Sequence, residues 1–531
     1  MPSWQRDLVS VEPAAHDPEA IGSGGIHAIA DRLPTAFTTR QQPVYRQIIG
    51  YIPSNVIPAL VSVLMIYAYT RLLSPQAFGS YSYVFSAVLL LQTSLFYALP
   101  IALMRFFPGA ALAGRQDGLL KETYVVFYAM GLAVVAIGIA ASFVLPLPPE
   151  YRAAAWLAMP MLLFRSLVQL NQAVNRSANR MGRFNTIECL HAVLGFGLGI
   201  AALFVIGHGP EAIVLGLTLA AVVCSALDVK LLVSPLRRGA GPLDRAELLK
   251  LVEYASPLVA VAATSMILQN SDRFLIGSLA GAGMLGIYAV AYNLVERPTT
   301  LICSSISTAT FPLVVQVLEH GGREAARIQA GRNGIALLAV TLPACVGLAL
   351  TADYIAASLV GPDFREGVAA LIPIMSFTAL ARGLRAHFID HAFHLSGRPL
   401  LMLWTYGPAT VLNIALNIYV VPRYGMMGAA WTALVCQGAT ALGGWFLGTS
   451  LFPVWLPPGQ VAACILAVVP MSAALMLLRF PLDWAGLSAA ISLGGGLYLV
   501  SAAALNVGGV RSEGLKALRA RLRTGIPALM D

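Results

Sequence analysis

Charge is scarce in this sequence. Asp, Glu, Lys and Arg make up 11% of its 531 residues, against about 25% in an ordinary soluble domain, so a soluble globular protein is excluded. Acidic residues are the scarcer kind, 25 against 34 Lys and Arg, for a formal net charge of +9. In a soluble chain that excess would suggest nucleic acid. In a membrane chain the positive-inside bias accounts for it, and no nucleic-acid partner is expected. Cysteine is sparse too: Cys189, Cys224, Cys303, Cys345, Cys436 and Cys464 all lie in apolar runs without a Cys-x-x-Cys spacing. They read as small core residues, not as a disulfide framework or a metal centre. A cleavable signal peptide is not visible, because the first apolar run begins near Ile48 after a polar tail.

Apolar sequence is abundant, at 58% hydrophobic residues and a mean hydropathy of +0.74. The apolar runs divide into about fourteen spans near the ~20 residues that a bilayer needs, which predicts an all-α integral membrane protein. Residues 1–47 form a mobile N-terminal tail, 48–233 a first set of six spans and 234–253 a basic linker. Residues 254–449 form a second set of six, 450–507 two further helices, and 508–531 a basic tail. With the N-terminus inside, 24 Lys and Arg fall in cytoplasmic segments and 5 on the opposite side, which puts both termini in the cytoplasm. A weak internal repeat supports the division into two sets. Sliding the chain by 207 residues pairs Phe78-Gly79-Ser80-Tyr81 with Leu285-Gly286-Ile287-Tyr288. Two related halves suggest alternating access, with the site at their interface.

Five arginines remain inside spans: Arg165, Arg273, Arg297, Arg382 and Arg385. Insertion scales put their combined cost in hydrocarbon at roughly 12–18 kcal/mol, so most must face a shared interior. Helical-wheel arithmetic gathers Arg165, Gln169, Gln172, Arg176 and Asn179 into one polar ladder. Asp272 and Arg273 share a face with Ser265 and Gln269. In the first span Tyr51, Asn55, Pro58, Ser62 and Tyr69 share a face, and Pro53 and Pro58 should bend the helix, as a gate or as plain packing. Glu296 and Arg297 either pair with Asp272 and Arg273 across helices, or Glu296 takes up a proton or sodium ion. Arg382 and Arg385 share a face suited to phosphate. His387, His391 and His394 lie roughly opposite, next to Asp390, and lack the partners a metal site needs. No metal and no cofactor are expected; coupling to a proton or sodium gradient is left open.

Three stretches resemble the polysaccharide (oligosaccharide) flippases of the multidrug/oligosaccharidyl-lipid/polysaccharide (MOP) exporter superfamily. These are Arg71-Leu72-Leu73-Ser74-Pro75-Gln76-Ala77-Phe78-Gly79-Ser80-Tyr81, Asp272-Arg273-Phe274-Leu275-Ile276-Gly277 with Gly286-Ile287-Tyr288, and Asn413-Ile414-Ala415-Leu416-Asn417 followed by Pro422-Arg423-Tyr424-Gly425-Met426-Met427-Gly428. The resemblance implies two six-helix lobes in a V around a central cavity, with two C-terminal helices added. It also implies a lipid-diphosphate-linked glycan as cargo, carried across a bacterial inner membrane for surface or exopolysaccharide synthesis. Arg165, Arg273, Arg297, Arg382 and Arg385 are the candidates to offset the diphosphate charge, with Gln169, Gln172, Asp272 and Asn55 lining the cavity and Glu296, Pro53 and Pro58 in coupling or gating. Expected partners are the lipid-linked oligosaccharide and membrane lipids; polysaccharide polymerase and export machinery are further candidates. A cation-coupled exporter of small drugs on the same scaffold is the alternative, but it should prefer acidic and aromatic linings. A glycan polymerase or ligase is less favoured, because the longest outer connection, about Ile355–Gly367, is too short for a reaction chamber and no catalytic constellation stands out.

Overall fold

The computed structural model describes residues 52–144, 149–238, 245–509 and 511. The expected tail 1–47 and most of the expected tail 508–531 lie outside them. Among the described residues the chain is helical, with no strand. The first half contains α1 (Ile52–Leu72), α2 (Pro75–Leu91), α3 (Ala98–Leu112), α4 (Gln116–Val144), α5 (Pro149–Ser177), α6 (Met181–Ile206), α7 (Pro210–Leu227) and the short α8 (Val229–Arg238). The second half contains α9 (Arg245–Leu279), α10 (Ala282–Leu350), α11 (Ala352–Leu359), α12 (Arg365–Leu384), α13 (His391–Leu395) and α14 (Leu403–Leu451). They are followed by α15 (Pro458–Leu477) and α16 (Trp484–Ala504).

Local chemistry sets many of these boundaries. Ser74 caps α2 by accepting from the Ala77 N–H, and Pro75 occupies the first turn, where no N–H is missed. Asp483 caps α16 through the Gly486 N–H at 2.8 Å. At 1.5 Å per residue α10 would be about 100 Å long, over three times the thickness of a hydrocarbon core. It is broken at Gly322, whose φ of 75° and ψ of −177° suit only glycine. Gly425 breaks α14 in the same way.

Among the described residues, ten helices are long and apolar enough to cross a membrane, or eleven if α2 and α3 count as one span bent by 42°. About fourteen were expected. The difference has physical causes: α10 and α14 each join two expected spans across a glycine break, and α5 is made polar by its arginines and amides. The expected span 212–233 ends at Leu227. The expected basic linker is partly helical, since α8 reaches Arg238 and α9 starts at Arg245.

Two groups of helices pack mainly within themselves. In the first half α6 lies on α7 and α1, while α5 lies on α7 and α2; in the second half α12 lies between α10 and α14, and α14 packs on α9. The halves meet where α2 and α3 touch α9 and α10, and α15 packs on α10 and α16. In lipid no hydrophobic drive holds helices together, so close backbone approach through small residues carries this interface. A Cβ on Gly79 would strike the Ala282 carbonyl oxygen, and a Cβ on Gly286 would strike the Pro75 carbonyl oxygen. Gly79 and Gly286, and likewise Pro75 and Ala282, are 207 residues apart, the offset of the repeat. Residue for residue, the two repeats touch each other reciprocally, as surfaces do across a two-fold axis.

The same end of the molecule is latched by polar contacts between the halves. Arg71 of α1 donates to the Ser358 and Leu359 carbonyls at the end of α11, both at 3.2 Å. The Gly361 N–H donates to the Thr70 hydroxyl at 2.9 Å, and Phe78 meets Phe364 edge to face. Within α1, Ser62 donates to the Pro58 carbonyl, and the Pro53 carbonyl accepts from the Cys189 thiol of α6.

The glycine contact predicts a contrast. Gly79→Ala should lower the thermal stability of the purified protein by about 1–3 kcal/mol through overpacking. Gly109→Ala, where an added methyl meets nothing within 4 Å, should be neutral or slightly stabilising. Equal melting temperatures for the two variants would contradict the assignment.

Candidate functional site

The π-helical turn Gln92–Phe96 between α2 and α3 places a buried amide against α5. Gln92 accepts from Arg165 Nε at 3.1 Å through Oε1 and donates to Gln169 Oε1 at 2.8 Å through Nε2. The Arg165 guanidinium lies 5.1 Å from the centre of the Phe85 ring. Phe85 and Tyr292 are 207 residues apart, like the paired glycines. Tyr292 likewise carries guanidiniums over its ring, Arg273 at 4.4 Å and Arg382 at 5.2 Å.

Arg273 leaves α9 toward the first half, where NH1 donates to Ser86 Oγ at 3.1 Å. Arg165, Arg273 and Arg297 all come close enough to the buried Tyr81 hydroxyl to act on it electrostatically, and Arg165 and Arg297 act on each other. None of the three forms an ion pair among the described residues. The structure therefore gathers three guanidiniums, drawn from both halves, without a paired carboxylate.

Arg382 has a different setting. It forms an ion pair with Glu296 and donates to the Tyr292 hydroxyl at 3.0 Å. Glu296 and Arg297 were expected to pair with Asp272 and Arg273, and they do not. Asp272 is instead held by neutral donors, Asn417 Nδ2 at 2.8 Å and the Tyr288 hydroxyl at 3.0 Å. Asn413 Oδ1 accepts from Ser271 and Asn417 in the same cluster. A small pocket adjoins these groups, its wall including Asp272, Tyr288, Tyr292, Glu296, Arg382 and Gln437.

Several expected site residues lie elsewhere. Gln172 donates to the Phe184 carbonyl and to Glu188, both at 2.9 Å, which ties α5 to α6. Below it, Asn175 and Arg183 donate to Asp228 at 3.1 and 2.8 Å. The expected polar ladder thus divides into a half-buried upper part on Gln92, Arg165 and Gln169, and a packed base. Asn55, Pro53 and Pro58 stay on α1, away from the cavity beside Arg382. Arg385 departs furthest from expectation. It is 2% exposed, 3.9 Å from Asp390 and 4.5 Å from the Tyr406 ring centre, and Tyr406 donates to Asp390 at 2.5 Å. It seals the base of α12 and does not share a wall with Arg382. His391 meets Ser307 at 3.2 Å and stacks near Phe311; among the described residues no three potential ligands converge on a metal site.

Sequence reasoning missed Gln92, Phe85, Ser86 and Glu188. Gln92 had a signal, since it is a lone amide within an otherwise apolar span.

Residues 120–369 match the family described as polysaccharide biosynthesis protein. The amylovoran biosynthesis protein AmsL of Erwinia amylovora is 24% identical over 278 residues, covering 50% of this chain and 70% of that one. Lipid II flippase MurJ in an inward closed conformation superposes with a TM-score of 0.71 at 14% identity, over 86% of this chain and 99% of that one. An inward-facing multidrug resistance MATE transporter of the MOP superfamily gives 0.58 at 13% identity, over 75% and 94%. The chain is a multi-pass membrane protein, and its fold is the one these transporters share. Its sequence likeness is to proteins described by polysaccharide biosynthesis.

The two kinds of arginine predict two kinds of loss. Arg385→Ala leaves Asp390 buried and uncompensated and should cost about 3–5 kcal/mol of stability. Arg297→Ala, at an exposed side chain with no ion pair among the described residues, should leave the melting temperature within a degree or two. Thermal unfolding of both variants in detergent checks this; a stable Arg385→Ala protein would refute the sealing role.

Proposed function

We propose that this protein is an alternating-access flippase that moves a lipid-diphosphate-linked oligosaccharide from the inner to the outer leaflet of a bacterial inner membrane. The convergence of Arg165, Arg273 and Arg297 on Tyr81 across the contact between the halves carries the reading. Guanidinium forks match phosphate oxygens, and charged hydrogen bonds of this kind are stronger than neutral ones. The prenyl tail would stay in lipid while the diphosphate and sugars enter between the halves. With both termini in the cytoplasm, the Arg71 latch and the Gly79–Gly286 contact face outside, so this conformation is closed on that side. The membrane potential assists the step, since exporting one negative charge releases about 2.3 kcal/mol per 100 mV.

An exporter of cationic drugs fits this site less well. The carboxylates near the cavity are committed, Glu296 to Arg382 and Asp272 to neutral donors, while three arginines have no ion pair among the described residues. Asp272, buried and without a paired cation among the described residues, is the group through which a proton or sodium gradient would couple to the cycle.

The test is a leaflet assay in proteoliposomes with undecaprenyl-diphosphate-linked oligosaccharide. Arg165→Ala and Arg297→Ala should each lower transport about 10- to 100-fold, matching one lost charged hydrogen bond of ~1.5–3 kcal/mol, with the yield of folded protein unchanged. The same vesicles with an imposed proton or sodium gradient read the coupling, which Asp272→Asn should abolish. Undiminished transport in both arginine variants would remove them from the cargo site.

A further inference from the structure

A site that holds a dianion in a low-dielectric cavity faces a problem of release, because the contacts that bind the cargo also retain it. The Arg382–Glu296 pair is built in a way that bears on this. Glu296 sits on α10 with one carboxylate oxygen on Arg382 and the other accepting from Thr300 Oγ1 at 2.9 Å. Its side chain is 18% exposed, it lines the cavity, and the next residue, Arg297, belongs to the arginine group shared with the first half. The Arg385–Asp390 pair in the same lobe gives the contrast. Its side chains are 2% and 7% exposed, and it is closed over by Tyr406. One pair is sealed into the helix packing, and the other stands at an open wall.

In the empty cavity Arg382 needs an anion, because an unpaired buried guanidinium is strongly unfavourable. Glu296 supplies it in just the place where a phosphate oxygen of an incoming headgroup would bind. We propose that Glu296 is an internal counter-ion that competes with the cargo's phosphate for Arg382, giving way when the headgroup binds and driving it off when the carboxylate returns. The inference rests on the reading of the cargo as a lipid diphosphate. No covalent step is involved; one carboxylate and one phosphate exchange places on a single guanidinium. The carboxylate keeps its Thr300 hydroxyl throughout, which holds it within reach for the return.

A purely structural strut and a competing counter-ion predict opposite results for the same variant. The experiment measures binding of undecaprenyl diphosphate to the purified full-length protein in detergent, and transport of a fluorescent polyprenyl-diphosphate saccharide after reconstitution. Glu296→Gln keeps the shape and removes the charge. It should bind the diphosphate about tenfold more tightly, a difference of ~1.4 kcal/mol, while turnover at saturating probe falls. Thr300→Val, at an exposed position, should shift binding in the same direction by about threefold, as expected for one hydrogen bond, and serves if Glu296→Gln folds poorly. In an Arg382→Gln background, Glu296→Gln should have no further effect on binding. If Glu296→Gln and Thr300→Val bind the diphosphate no more tightly than the unaltered protein, the counter-ion role is overturned while the cargo reading stands. If the unaltered protein binds undecaprenyl diphosphate no better than the uncharged polyprenol, the cargo reading fails and this inference falls with it.

Discussion

The structure depends on what a charge must find when it lies at bilayer depth. An arginine in hydrocarbon is costly on any scale, and this chain resolves the cost in three ways. Arg385 is neutralised inside one lobe by Asp390 and covered by Tyr406. Arg382 is neutralised at a cavity wall by Glu296. Arg165 and Arg273 have hydrogen bonds and aromatic faces, Arg297 is exposed, none of the three has an ion-paired carboxylate among the described residues, and they gather where the halves meet. Neutral acceptors can orient a guanidinium but cannot cancel its charge. In the proposed function, the remaining charge is what draws an anion to this interface.

In the proposed cycle, the interface is also where the halves would separate. Its centre is backbone against backbone, at Gly79 with Ala282 and Gly286 with Pro75, and its edge is a set of hydrogen bonds from Arg71 and Gly361. Aromatic side chains also meet across it, Phe78 with Phe364 and Tyr83 with Phe274, both edge to face, while at the glycines small residues let the helices approach closely. The reciprocal contact of the two repeats places a pseudo-two-fold axis at that point, about which the halves can rock.

Much of this was legible in the residues. The membrane class followed from the shortage of charge, and the intramembrane arginines marked the interior because lipid exposure would be so unfavourable. The 207-residue offset, weak as a sequence signal, turned out to join the two glycines that touch. The failures cluster at π turns. Helical-wheel arithmetic at 100° per residue puts Arg385 and Asp390 far apart, but the turn Arg385–Ile389 adds a residue, and the Asp390 N–H bonds the Arg385 carbonyl at 2.8 Å. That i+5 register sets the two side chains together. Gln92 escaped notice for the same reason, at the turn Gln92–Phe96. The pairing of Glu296 with Arg382 joins residues 86 apart in sequence, and no local pattern encodes such a contact. Gln172 misled because a polar residue on an apparent cavity face can equally well bind the neighbouring helix, as it does through Phe184 and Glu188.

The central claim is that an anionic headgroup is held between guanidiniums from both halves. Its most direct test is an electron cryo-microscopy reconstruction of the protein in lipid nanodiscs containing undecaprenyl-diphosphate-linked saccharide. The account predicts diphosphate density bridging Arg165 on one side and Arg297 on the other, with the prenyl chain leaving toward the bilayer. Headgroup density confined to one half, with Arg165 and Arg297 turned away from it, would contradict the account.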